Sequence, residues 1–228
     1  MKKLTNQHIS ELVLYKNNQL LALNKPAGIA VQQDKTADKS LLDLASIYTK
    51  GKVLLTHRID RPASGVVLFA KNAKALTAIN EQFQQRSIKK VYLAVVGNRP
   101  LEDKGELIHY LKKDGRLNKS FVTSESHAGA KKAVLQYEVL DSIERYHLLK
   151  IELFTGRHHQ IRAQLAAINS PIKGDNKYGF KRSNADRSIH LHAWQLHFNH
   201  PVSQERVELK APIPEETVWQ AFQKLSDG

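Results

Sequence analysis

The residues best placed to do chemistry lie in His57-Arg58-Ile59-Asp60-Arg61-Pro62-Ala63-Ser64-Gly65. One carboxylate, Asp60, stands between two arginines, Arg58 and Arg61. A Pro and Gly turn then leads into the apolar run Val66-Val67-Leu68-Phe69-Ala70. Nearby positive charge favours the ionised carboxylate, and the turn residues restrict the backbone that carries it. A charged carboxylate pinned at a loop edge suits nucleophilic or general-base work. The same spacing also fits a surface ion pair in a solvated loop, since short patterns recur by accident.

A second constellation is Thr155-Gly156-Arg157-His158-His159-Gln160-Ile161-Arg162, which starts after an expected strand and runs into an expected helix. Backbone N–H groups at a helix start attract anions, and Arg157 and Arg162 add to that attraction. Arg162 follows Ile161 in the apolar register, so it is expected to point partly inward and to need a carboxylate partner. Asp60 is the candidate. A third feature is Lys89-Lys90-Val91-Tyr92, with Tyr92 at the start of a strand. A tyrosine there is either packing or a flat surface for a nucleobase and a weak acid/base.

Other chemistries find less support. Cysteine is absent, which excludes disulfides, thiolate metal sites and a Cys nucleophile. His190 and His192, with His197 and His200 nearby, could form a metal site, but no carboxylate motif accompanies them. No glycine pattern forms a phosphate-binding loop, and no nucleophile-elbow signature occurs.

The partner class follows from charge. In 228 residues, 35 Lys and Arg stand against 22 Asp and Glu, a formal net charge of +13. That excess points to a polyanion, nucleic acid first and an anionic membrane surface second. No N-terminal signal core and no bilayer-length apolar stretch is present, so a cytoplasmic protein is expected.

These groups must be positioned by a core, and the pattern predicts an α+β fold with a mixed or antiparallel sheet. Leu12-Val13-Leu14-Tyr15 and Leu20-Leu21-Ala22-Leu23 flank Lys16-Asn17-Asn18-Gln19 as a hairpin. Lys25-Pro26-Ala27-Gly28 reads as a turn. Ser40 and Asn72 read as helix N-caps. Leu76, Ile79, Asn80 and Phe83 form the buried side of the second helix. Strands are expected over 66–69, 91–96, 134–140, 147–154 and 191–198. A helix after Gly156 carries Ile161, Leu165 and Ile168 on one face. A basic excursion over about 100–132 is expected as a ribbon or long loop, and a last helix over about 214–226 carries Val218, Phe222 and Leu225. No linker divides the chain, so a single domain over 1–228 is expected, its core at about 12–202.

Taken together, the segments resemble the RluA-type pseudouridine synthases, enzymes that isomerise uridine to pseudouridine in RNA. Lys25-Pro26-Ala27-Gly28 is similar to the family's Lys-Pro-x-Gly loop. His57-Arg58-Ile59-Asp60 with Ser64-Gly65 is similar to its catalytic loop, with Ile59 for the usual Leu and Ala63 for the usual Thr. Lys90-Val91-Tyr92 and Thr155 to Arg162 follow. Pro171-Ile172-Lys173-Gly174-Asp175, Tyr178-Gly179, Leu191-His192-Ala193 and His200-Pro201 complete the order. The expected first strand starts at Leu12, so the small RNA-binding module that many relatives carry ahead of the catalytic domain is not expected here.

The resemblance implies the pseudouridine synthase fold, with helices and loops flanking a central sheet and an active-site cleft across it. It implies Asp60 as the catalytic carboxylate, which attacks ribose C1′ or draws a proton from C2′. Tyr92 would stack on the uracil, and Arg162 would pair with Asp60. RNA binding and base flipping would fall to Arg58, Arg61, His57, Arg157, His159, Gln160, Lys90, Lys112, Lys113, Arg116 and Lys119. Lys177, Lys181, Arg182 and Arg187 are further candidates for phosphates. No metal or cofactor is implied. The expected partner is a tRNA or rRNA stem-loop, the expected state a monomer without a membrane partner. Three alternatives stay open: an RNA-binding protein without catalysis, a nuclease built on the four histidines, and an anionic-membrane binder.

Overall fold

The computed structural model describes residues 6–34 and 38–222. Its elements are α1 (Asn6–Glu11), β1 (Val13–Lys16), β2 (Leu20–Lys25), α2 (Leu41–Thr49), β3 (Leu54–Leu55), β4 (Ser64–Ala70) and α3 (Ala73–Gln84). β5 (Lys89–Val96), β6 (Lys104–Asp114), β7 (Lys119–Thr123), β8 (Lys131–Ile143) and β9 (Tyr146–Leu153) follow. Then come α4 (Gln160–Ala167), β10 (Leu191–Asn199), β11 (Arg206–Lys210) and α5 (Thr217–Gln220). The composition is α+β, as the irregular alternation predicted. The chain divides into two compact units, 1–89 with 193–212 and 90–192 with 213–228.

In the first unit, β1 and β2 form the expected hairpin. Its turn is fixed by Asn17, whose side-chain oxygen accepts from the N–H groups of Gln19 and Leu20, both at 2.8 Å. That bond pattern is the reason Asn favours such turns. β4 pairs antiparallel with β2 from Gly65 to Ala70 and with β3 at its far end. All seven residues of β4 are buried, which explains its unbroken apolar run. Ser40 caps α2 through a complete capping box with Asp43, and Asn72 caps α3 through the N–H of Ala75. Ala75 and Ile79 of α3 are buried with Leu20, Leu68, Leu196 and Phe198, while Leu76 and Phe83 pack only partly against that core.

In the second unit, β9 pairs antiparallel with β5 on one side and β8 on the other. β8 then pairs with β6, and β6 with β7. The basic excursion is therefore a ribbon. Its strands lengthen because cross-strand pairing satisfies backbone groups that a loop would leave to water. α4 lies over this ribbon through a small cluster of Leu111, Ala133, Ala163 and Tyr178.

Two expectations at the C-terminus change. α5 spans only Thr217–Gln220, starting after Glu216 rather than near Pro214. Glu216 ends the preceding extended segment by accepting from the N–H of Val218. Phe222 is buried as expected, but Trp219, which the helical stripe omitted, is buried too. Leu225 lies outside the described residues.

Candidate functional site

The Asp60 loop leaves the sheet in a defined way. β3 pairs with β4 through Leu54 and Leu55. At the next two residues side chains take over the pairing. Thr56 Oγ1 donates to the carbonyl of Leu68 at 2.7 Å, and His57 Nε2 accepts from the Leu68 N–H at 3.1 Å. Beyond this point Arg58 is exposed, Ile59 is buried, and Asp60 is half-buried. Ile59 thus anchors the loop, while the residues on either side of it stay accessible. The carbonyl of Asp60 accepts from the Ala63 N–H at 3.1 Å, closing the turn.

The loop is clipped to the Lys25-Pro26-Ala27-Gly28 turn. Gly28 N–H donates to the carbonyl of Arg61 at 2.8 Å, and Arg61 Nε donates to the carbonyl of Gly28 at 2.9 Å. Lys25, fully buried, donates from Nζ to the carbonyls of Pro26, Ile29 and Arg61 at 2.9 to 3.1 Å. Burial pulls its pKa down to about 7, against the charge of Asp60, which pushes it up, while Arg61 adds to the lowering. A buried ammonium directed at three carbonyls welds the two loops and places positive charge in the field of Asp60. The guanidinium of Arg61 also reaches Asp34 and Asp38 at 3.0 and 3.2 Å. Arg61 is therefore employed largely as a brace.

Gly65 closes the loop into β4. Its φ of +114° is a region that L side chains rarely adopt, and a Cβ there would stand 2.2 Å from the Ala193 carbonyl oxygen. The backbone of β10 thus approaches β4 so closely that only glycine fits.

In the second unit, Tyr92 sits on β5 opposite Ile151 of β9 and is half-exposed. Lys90 precedes it, also half-exposed. Arg162 is far more buried than the apolar register implied. It donates from Nε and one terminal nitrogen to both carboxylate oxygens of Asp175, at 2.7 and 2.8 Å, and the two side chains are 5% and 1% exposed. Its guanidinium also lies 4.9 Å over the Tyr178 ring. One edge and one face of Arg162 are therefore taken by the segment that follows α4.

The residues before Arg162 hold their own loop. Gln160 is buried, with its oxygen accepting from Thr155 Oγ1 and the Arg157 N–H, and its amide donating to the Val134 carbonyl. Arg157 donates from Nε to the carbonyl of Lys132. His159 adopts a left-handed φ of +53° at the start of α4. Burial first, then the charges of Arg162, His158 and nearby lysines, lower its pKa to about 2, so the ring is neutral. Lys113 and Arg116 on the ribbon are exposed, while Lys112 and Lys119 are half-buried.

The four downstream histidines each contact other side chains of the fold. His190 bonds Glu216 at 2.7 Å and stacks on Trp219, and His192 meets the same indole edge-on. His197 faces Glu208, and His200 bonds Asn17. Lys177, a candidate for phosphates, donates to the carbonyls of Leu117 and Asn118 at the ribbon's tip.

Sequence reasoning had no signal for two of these partnerships. Asp175 was visible only within the Pro171 to Asp175 segment, and Lys25 only within a turn and its motif. Neither has a spacing that ties it to Arg162 or to the Asp60 loop. Both are fixed by tertiary contact.

Comparison with known proteins gives a consistent result. Residues 19–167 match the family model described as RNA pseudouridylate synthase. An uncharacterised RNA pseudouridine synthase of Mycoplasma pneumoniae is 35% identical over 205 residues, covering 88% of this chain and 66% of that one. The tRNA pseudouridine synthase C of Haemophilus ducreyi is 33% identical over 229 residues, covering 91% of this chain and 92% of that one. Among solved structures, human RNA pseudouridylate synthase domain containing 4 superposes with a TM-score of 0.79 over 96% of this chain and 94% of that one, at 23% identity.

Proposed function

The chain belongs to the RNA pseudouridylate synthases, isomerases that convert uridine in RNA to pseudouridine, and we propose that it acts on a tRNA or rRNA stem-loop with Asp60 as the reacting carboxylate. The observation that carries this reading is the bracing of the Asp60 loop. Thr56, His57, Ile59, Lys25 and Arg61 all fix its backbone, yet Asp60 is half-exposed. A rigid loop with an accessible carboxylate is what a nucleophile or general base needs.

Asp60 either attacks ribose C1′ or takes the C2′ proton. Both routes break the N-glycosidic bond, and the freed uracil turns and is rejoined through C5. Tyr92 offers its ring to the uracil and helps remove the C5 proton. Arg162 supplies fixed positive charge for the carboxylate chemistry. The target base must leave its stack at a cost of a few kcal/mol. Arg58, exposed two residues before Asp60, fills the vacated space by stacking its guanidinium on neighbouring bases. Lys112, Lys113, Arg116 and Lys119 grip phosphates.

The test is pseudouridine mapping. Unmodified bacterial tRNA and rRNA transcripts are incubated with the protein in the presence of a chelator, and carbodiimide adducts are located by primer extension. New stops name the substrate. RNA that is bound tightly but never modified, across both classes, would favour binding without catalysis.

A further inference from the structure

Tyr178 is buried where the ribbon, α4 and Asp175 meet. Its hydroxyl accepts from the Ser120 N–H at 2.8 Å and donates to the Ser120 carbonyl at 3.2 Å. One phenol thus takes both backbone groups of a β7 residue, as a neighbouring strand would, and β7 pairs with β6 alone among the pairings above. The His159 Nδ1 lies 3.0 Å from the same oxygen. Ser120 is held a second time, by its own hydroxyl on His158 Nδ1 at 2.9 Å.

The ring does separate work. The Arg162 guanidinium lies 4.9 Å over it, and Lys119 Nζ lies 4.9 Å from its centroid as well. Through Tyr178 N–H, which donates to the Asp175 carbonyl at 3.0 Å, the same residue closes the turn that presents the carboxylate fork to Arg162. Desolvated cation–ring contacts of this kind favour one orientation of the guanidinium.

We propose that Tyr178 is a positioning residue with two separable roles: its hydroxyl fixes the RNA-gripping ribbon at Ser120, and its ring fixes Arg162. The inference rests on the roles proposed above for the ribbon and for Arg162. It goes beyond them because it assigns affinity and rate to different parts of one buried side chain.

Two substitutions separate the roles. Tyr178→Phe keeps the ring and removes the hydroxyl, and Tyr178→Leu removes both. Affinity is read by filter binding to bulk tRNA transcripts, and rate by single-turnover tritium release from [5-³H]uridine-labelled RNA at saturating protein, scaled to the folded fraction. Tyr178→Phe raises Kd about five-fold, the scale of one or two lost hydrogen bonds, with the saturating rate within about two-fold. Tyr178→Leu also lowers the saturating rate about ten-fold, the scale of a desolvated cation–ring contact. The Arg162 Nε–H resonance reports the ring's role without activity. It holds in Tyr178→Phe and moves in Tyr178→Leu. An unchanged Kd in Tyr178→Phe overturns the hydroxyl's role. An unmoved Arg162 resonance in Tyr178→Leu overturns the ring's role, and so does a full saturating rate per folded molecule. If the wild type releases no tritium from any RNA, the proposed function fails separately, while the Kd and resonance measurements still decide this inference.

Discussion

Arg162 and Asp175 meet through two hydrogen bonds of 2.7 and 2.8 Å, thirteen residues apart in sequence and almost wholly removed from water. Fork-to-fork geometry gives the pair direction as well as strength. It also makes the pair hazardous to break, because the buried guanidinium keeps its desolvation cost when this carboxylate is lost. Asp175→Asn should therefore destabilise the protein by about 3 kcal/mol or more, measured by urea unfolding. The double variant Arg162→Met/Asp175→Asn should lose less than the two single losses added together. Additive losses would show that the fork contributes little.

The loop before β4 makes a second demand. Gly65 combines a left-handed φ with a Cβ position that collides with the Ala193 backbone. Gly65→Ala should cost about 3 kcal/mol or more, since backbone cannot yield as a flexible side chain can. A melting temperature within a degree of wild type would contradict the close approach.

His159 ties stability to acidity. Its folded pKa is lowered from 6.5 to about 2. Between those values the unfolded chain binds a proton that the folded protein refuses, so stability is present above pH 6.5 and is lost as pH falls. Allowing for its partial exposure, the loss due to this group should be about 1 kcal/mol between pH 6.5 and 5. His159→Gln should show a correspondingly shallower decline in denaturant midpoints over that range. An identical slope in both proteins would place the acid sensitivity elsewhere.

The ribbon's charges should act on binding and not on chemistry. Replacing Lys112, Lys113, Arg116 and Lys119 with serine removes up to four phosphate contacts. The slope of log affinity against log salt should flatten by about 3, with the rate at saturating RNA little changed. An unchanged slope would move the phosphate grip to another surface.

Much of this was legible in the chain because it is local. The Asn17 turn, the Ser40 and Asn72 caps and the Val66 to Ala70 strand each obey rules that span a few residues. The Asp60 loop was legible by its residue types and by its resemblance to a known pattern. What could not be read depends on contacts across long sequence separations. The buried ammonium of Lys25 looks like any surface lysine before a proline. Asp175 looks like a turn residue until α4 brings Arg162 against it. Gln160 and Arg157 carried the chemistry of RNA contacts in sequence, yet their side chains reach Val134 and Lys132 inside the protein. Trp219 escaped the helical stripe because α5 is a single turn, too short for periodicity to show.

The most direct measurement concerns Asp60. Wild type and Asp60→Asn would be compared on one mapped RNA by single-turnover tritium release, with RNA affinity and thermal unfolding measured in parallel. Asp60→Asn should bind the RNA within a few-fold of wild type, unfold at a similar temperature and form no pseudouridine, a loss of at least about four orders of magnitude in rate. Pseudouridine formed by Asp60→Asn at a rate near wild type would contradict Asp60 as the reacting carboxylate.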